Sequence, residues 1–164
     1  MSQPRKLSVL MVCLGNICRS PTAQGVLEAR LKLAGLHDKV TVDSAGTAAW
    51  HTGKAPDPRS QQVALQRGYN LSHLRARQAT REDFDHFDYV LAMDEDNLND
   101  LRVLEPAHYQ GELSLFLDYA FPNQKRSVPD PYYTQGDKGF HEVVDLIENA
   151  SDGLIKVLKQ RLEV

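Results

Sequence analysis

Cysteine is scarce in this chain, with two in 164 residues. A secreted scaffold stapled by disulfides is thereby excluded. Long apolar runs are missing too. The stretch Val9 to Leu14 is too short for a signal-peptide core, and no later segment approaches the roughly 18 apolar residues that cross a bilayer. A cytoplasmic protein without membrane insertion is expected. Neither sign of charge dominates: 19 Lys and Arg stand against 22 Asp and Glu, a net charge of −3 with His neutral. That excludes a strongly basic nucleic-acid binder or a polybasic membrane binder. No repeat, low-complexity block or Gly/Ser linker divides the chain, so one domain over 1–164 is expected, at about 150 residues per domain. None of the six histidines has metal-ligand spacing with another His or a Cys. The acidic run from Asp94 to Asp100 lacks the glycine a calcium loop needs at its sixth position, where Asn99 stands. No metal and no cofactor are expected.

What is present is an alternation of short apolar runs with helical patterns. Lys6 to Cys13 is almost continuously apolar, which suits a strand covered on both faces and therefore a parallel sheet. Ser20-Pro21 reads as an N-cap followed by the first helical residue, with Ala23, Val26, Leu27, Ala29 and Leu31 at helical spacing and Gly35 ending the run. Val40 to Ala45, Asp88 to Met93 and Glu112 to Phe116 are the other strand candidates. Arg59 to Arg67 reads as a helix. Thr80-Arg-Glu-Asp-Phe has capping-box logic for a short one, and Asp94-Glu-Asp-Asn opens another with acids where the macrodipole favours them. The last helix is expected to bury Phe140, Val143, Val144, Ile147, Leu154, Val157 and Leu158, with Gly153 as a kink. Strands alternating with helices predict an α/β doubly wound sheet, with ligands at the carboxyl ends of the strands.

One turn concentrates the chemistry: Cys13-Leu14-Gly15-Asn16-Ile17-Cys18-Arg19-Ser20-Pro21. Backbone N–H groups of a tight turn at a helix N-terminus make an anion cradle. Gly15 and Asn16 are the residues that tolerate positive φ. Arg19 adds a planar fork that grips two phosphate oxygens. Cys13, at the strand end, faces the same cradle, and the Ser20 hydroxyl can donate to its sulfur. The assembly is a nucleophile beneath a phosphorus atom. A buried structural Cys beside a capping Ser is the plain alternative, and the joint pattern argues against it. A nucleotide P-loop would need a Gly-x4-Gly-Lys-Ser/Thr run, which is missing.

These residues resemble the low-molecular-weight protein tyrosine phosphatase family. So do Asp43-Ser44-Ala45-Gly46-Thr47, Pro56-Asp57-Pro58-Arg59, Asp88 to Asp94 and Asp130-Pro131-Tyr132-Tyr133, in the family's order over essentially the whole chain. The resemblance implies a four-stranded parallel twisted sheet with helices on both faces and a phosphate-binding loop after the first strand. It implies two-step hydrolysis of phosphotyrosine, with Cys13 as nucleophile, Arg19 as phosphate ligand and Asp130 as general acid and then base. By the same carry-over Leu14, Gly15, Asn16, Ile17, Cys18 and Ser20 bind substrate, and Trp50 and Tyr132 wall an aromatic slot. Asn16, Ser44 and His73 form a supporting network, Asp94 orients Arg19, and Cys18 traps Cys13 as a reversible disulfide. The other five histidines are expected at the surface.

The chemistry agrees with those roles. A phenol titrates near 10, so expelling a phenolate at neutral pH benefits from a proton donor. An Asp between two prolines is expected to lack nearby backbone donors, which suits a proton carrier. An arsenate reductase of this scaffold would need further cysteines, and a related arginine phosphatase would carry Thr where Ile17 stands. A non-catalytic phosphotyrosine-binding module would lack the nucleophile or the acid, and both are here. Tyr132 and Tyr133 are phosphorylation candidates, against the plainer reading of slot wall and packing. The expected partner is a phosphotyrosine-bearing protein, with a tyrosine autokinase as one candidate. A monomer is expected, with a weak dimer as the alternative.

Overall fold

The computed structural model describes residues 6–133 and 136–162, without the side chain of Tyr133. The apolar run becomes β1 (Leu7–Cys13), buried at every position but Ser8. It pairs on one side with β2 (Val40–Gly46) and on the other with β3 (Tyr89–Ala92), which pairs with β4 (Glu112–Leu115). All pairings are parallel and the order is β2-β1-β3-β4. The register aligns the strand ends: Cys13 lies opposite Gly46, and Val12 opposite Ala92. The chain leaves β1 toward β2 on one side and returns to β3 on the other. Beside Cys13 is therefore the switch point where doubly wound sheets open a crevice.

The alternation of β1 sorts the core into two layers. Leu7, Val9, Met11 and Cys13 face a cluster shared with α1 (Arg19–Leu33) and α5 (Lys138–Leu162). Leu10 and Val12 face Phe84, Leu98 and Leu101, from α3 (Asp83–His86) and α4 (Glu95–Leu104). The sheet is thus covered on both faces. Burying one such Leu contributes roughly 1.5–3 kcal/mol before entropy is counted. α2 (Pro58–Gln66) starts on an Asp57 side chain that accepts from Arg59 N at 2.7 Å. Asp94 caps α4 by accepting from Asn97 N at 2.7 Å. No helix among the described residues is long and apolar enough to cross a membrane.

Four local expectations are corrected. Ser20 is not the N-cap of α1: the helix begins at Arg19 with Cys18 in the cap position and no side-chain cap. The Ser20 hydroxyl is engaged instead by Cys13 and Asn16. The box at Thr80 forms one arm only, Asp83 accepting from Thr80 N at 2.8 Å, and α3 is four residues long. Gly153 sits inside a continuous 25-residue α5. A Cβ there would stand 1.9 Å from the Tyr119 carbonyl oxygen, so this glycine admits a close approach of the 3-10 turn Phe116–Tyr119. Val157 is only half-buried, and Ile155 takes its place on the apolar stripe.

Candidate active site

The turn between β1 and α1 closes over the Cys13 side chain. Asn16 alone of its residues is left-handed, with φ of 57°. Gly15 serves a different need from the one expected: its Cβ would lie 2.9 Å from His51 Cδ2. The left-handed bend aims the Asn16 N–H at Cys13 Sγ, 3.3 Å away. Ser20 Oγ lies 3.0 Å from the same sulfur. Asn16 Nδ2 donates to that hydroxyl at 2.8 Å. The Asn16 N–H and the Ser20 hydroxyl therefore both reach one buried sulfur at a helix start.

Arg19 is 4% exposed and held from behind. Its Nη1 donates to Asp94 Oδ2 at 2.7 Å and to the Val128 carbonyl at 3.0 Å. Its Nη2 stands 3.6 Å from Asp130 Oδ2, across the opening. Burial opposes charge on this guanidinium. Cys13, Asp94 and Asp130 outweigh that effect and hold Arg19 above the ordinary arginine value. Asp130 lies in a short turn and accepts from Tyr132 N at 3.0 Å. The expectation that it lacks backbone donors is thus corrected: the chain bends back after Pro131 and supplies one.

These groups surround a small open cleft. Cys13, Leu14, Gly15, Ile17, Cys18, Arg19, Asp130, Trp50 and Tyr132 all line it, and Asn16 and Ser20 stand behind it. Trp50 is 69% exposed at the rim. His51 also lines the cleft, its ring 6.4 Å from that of Tyr132. The expectation of a surface histidine at 51 is corrected, and its place beside Trp50 in the same loop is the signal for it. The Val128 carbonyl was also missed, because any residue supplies one. Ser44 donates to Gln24 Oε1 at 2.6 Å rather than to Asn16. His73 is exposed and outside the expected network; Asn16 Oδ1 accepts instead from the main-chain N–H of Arg77 at 3.1 Å.

The second cysteine is chemically distinct. Cys18 is buried, and burial pushes its thiol up to about 12, with a hydrogen bond from Ser60 opposing and the Asp57, Cys13 and Asp130 charges adding. It is a neutral thiol at pH 7. Among the described residues no group of three or more His, Cys, Asp or Glu side chains is placed to hold a metal ion.

Known proteins share this frame. The family model for low molecular weight phosphotyrosine protein phosphatase matches residues 8–164. The chain is 40% identical over 153 residues to a low molecular weight phosphotyrosine protein phosphatase of Schizosaccharomyces pombe, covering 93% of this chain and 97% of that one. A crystal structure of a protein tyrosine phosphatase from Entamoeba histolytica, with Hepes in its active site, superposes with a TM-score of 0.88 at 39% identity. That match covers 95% of this chain and 99% of the other. A Drosophila arginine phosphatase superposes with a TM-score of 0.85 at 33% identity, over 92% and 97% of the two chains.

Proposed function

The chain belongs to the low molecular weight phosphotyrosine protein phosphatase family, and we propose that it hydrolyses phosphotyrosine on proteins through a phosphocysteine intermediate. The observation that carries this reading is the placement of Cys13 Sγ beneath Asn16 N–H and Ser20 Oγ, with Arg19 and Asp130 across the same cleft. The phosphate sits in the turn, its oxygens on main-chain N–H groups and on the Arg19 fork, which Asp94 and Val128 keep aimed. The Cys13 thiolate attacks phosphorus in line with the phenolic oxygen, and the P–O bond breaks as S–P forms. Asp130 gives its proton to the departing phenolate. The resulting carboxylate then takes a proton from water, whose oxygen attacks phosphorus and returns the Cys13 thiolate with inorganic phosphate.

Trp50, Tyr132 and His51 give the cleft walls that suit a phenyl ring. A phosphotyrosine-bearing protein, met in the cytoplasm, is the substrate class this reading entails. Replacing Cys13 by Ser abolishes turnover of an aryl phosphate while oxyanion binding persists; turnover retained in C13S overturns the mechanism. A second reading, phosphoarginine hydrolysis, is favoured by the likeness to the Drosophila arginine phosphatase. Ile17 and the aromatic rim argue for the tyrosine substrate. Comparing kcat/KM on matched phosphotyrosine and phosphoarginine peptides decides between the two. Cys18, in the same turn, supports a protective role: peroxide oxidises Cys13 to the sulfenic acid, and the Cys18 thiol displaces water to form a disulfide.

A further inference from the structure

We propose that Arg77, outside the cleft, is a positioning residue that sets the direction of the hydrogen-bond chain ending on Cys13. The inference rests on the phosphatase reading above. An amide side chain can sit either way round, and its neighbours decide which. Asn16 Oδ1 faces the main-chain N–H of Arg77 at 3.1 Å. An N–H can only donate, so it holds the oxygen of Asn16 toward Arg77 and the Nδ2 group toward Ser20. Nδ2 then donates to Ser20 Oγ at 2.8 Å and occupies one of its lone pairs. The single Ser20 proton has two acceptors in reach, Cys13 Sγ at 3.0 Å and the Ala45 carbonyl at 3.4 Å. The nearer acceptor is the one that carries negative charge in the reaction, and it takes the proton. Reversing Asn16 would place its carbonyl oxygen against Ser20, which would then donate to Asn16 and leave the sulfur.

The Arg77 N–H is held by contacts that make no use of the cleft. Its carbonyl accepts from Gly46 N at 2.8 Å, and Ala79 N donates to the Gly46 carbonyl at 2.7 Å, a short parallel bridge on the end of β2. Its guanidinium spans two carboxylates. Nε and Nη2 reach Asp43 Oδ2 at 3.2 and 3.0 Å, and Nη1 and Nη2 reach the two oxygens of Asp83 at 3.1 and 3.0 Å. Asp43 belongs to β2 and Asp83 starts α3, so the side chain ties residue 77 to two elements of the frame. No other described side chain holds this segment by four such bonds.

A double-mutant cycle with Ser20 separates this role from mere structural support. Arg77→Ala is expected to lower kcat for p-nitrophenyl phosphate about tenfold, with KM within about twofold, the loss of one hydrogen bond to a charged group. It is expected to slow iodoacetamide alkylation of Cys13 at pH 7 in parallel. Ser20→Ala gives a similar loss, and the double variant loses no more than Ser20→Ala alone. Arg67→Ala, which removes a guanidinium held by two carboxylates of α5, leaves kcat unchanged. If Arg77→Ala does not fold, Arg77→Lys carries the test: an ammonium cannot span both carboxylates, and its loss of about threefold must also vanish without Ser20. Multiplicative losses in either cycle, or full kcat in a folded Arg77→Ala, overturn the proposal. Should the wild-type chain leave aryl phosphates intact, the phosphatase reading fails by itself, and the alkylation rates still test the chain to Cys13.

Discussion

Arg19 and Arg67 have nearly the same partners and opposite uses. Each faces two carboxylates and one main-chain carbonyl: Asp94, Asp130 and Val128 for Arg19, and Asp145, Glu148 and His141 for Arg67. Around Arg67 both carboxylates are close, at 2.6 and 2.7 Å on one nitrogen. The seam continues through Tyr69, which donates to Glu148, and Arg30, whose Nε and Nη2 grip Asp152 at 2.8 and 2.9 Å. These pairs fasten α1 and the chain after α2 to α5, and they lie partly in water. Around Arg19 only one carboxylate is close. Asp94 and Val128 take Nη1 from behind, while among the described residues Nη2 has no acceptor nearer than Asp130 Oδ2 at 3.6 Å. A guanidinium whose donors are consumed is a strut. One held from a single side, buried and facing an opening, keeps donors for the anion that the proposed function brings.

The comparison breaks most sharply at Arg19 itself. Arg19→Lys keeps the charge and loses the fork, so it cannot hold Asp94 and Val128 while presenting two donors to phosphate. A loss of about 10³-fold in kcat/KM for an aryl phosphate is expected. A loss below about threefold would mean that charge alone suffices there. Next comes Asp130→Ala. Loss of the proton donor should lower kcat about 10²-fold for a phenol near pKa 10, and far less for a very acidic phenol. An equal loss on both would assign Asp130 a purely electrostatic effect on Arg19. Third, iodoacetamide at pH 7 should label the folded chain once, at Cys13. Cys18, held as a neutral thiol up to about 12 by burial, should react only after unfolding. Mass spectrometry of tryptic peptides reads this, and labelling of Cys18 in the folded chain would contradict it.

Sequence exposed the parts of this site that depend on residue type. A nearly unbroken apolar run, with Ser8 its one polar residue between Leu7 and Cys13, suits a doubly covered strand. A Cys, an Arg and a Ser packed into the turn after it could scarcely serve packing alone. What it hid are contributions that any residue can make or that distant chain supplies. The carbonyl of Val128 and the N–H of Arg77 belong to the main chain and lie far along the sequence from the groups they hold. Ser20 was misread for the complementary reason. Ser-Pro is a strong local signal for a helix start, but a hydroxyl beside a buried sulfur has a tertiary partner that local rules do not contain. His73 failed likewise: a histidine fits a polar network by type, while the segment it lies on turns its side chain to solvent.

The smallest effect tests the strut. Asp152→Asn removes half of the bidentate pair with Arg30, whose hydrogen bonds hold the Asp152 carboxyl below its ordinary value of 3.8. A depressed carboxyl stabilises the fold above its unfolded pKa, and that contribution is lost as pH falls through the folded value. The Asp152 side chain is 54% exposed, so solvent screens the pair and the loss at pH 7 should be only about 0.5 kcal/mol. Urea midpoints should therefore separate the variant from the parent at pH 7 and draw together as pH falls below 3.8, where the unfolded chain takes up the proton first. Turnover at pH 7 should be unchanged, since no donor of this seam points into the cleft. A change in kcat without a change in midpoint would mean that the seam on α5 acts on the turn at Cys13, and the division between strut and ligand would then fail.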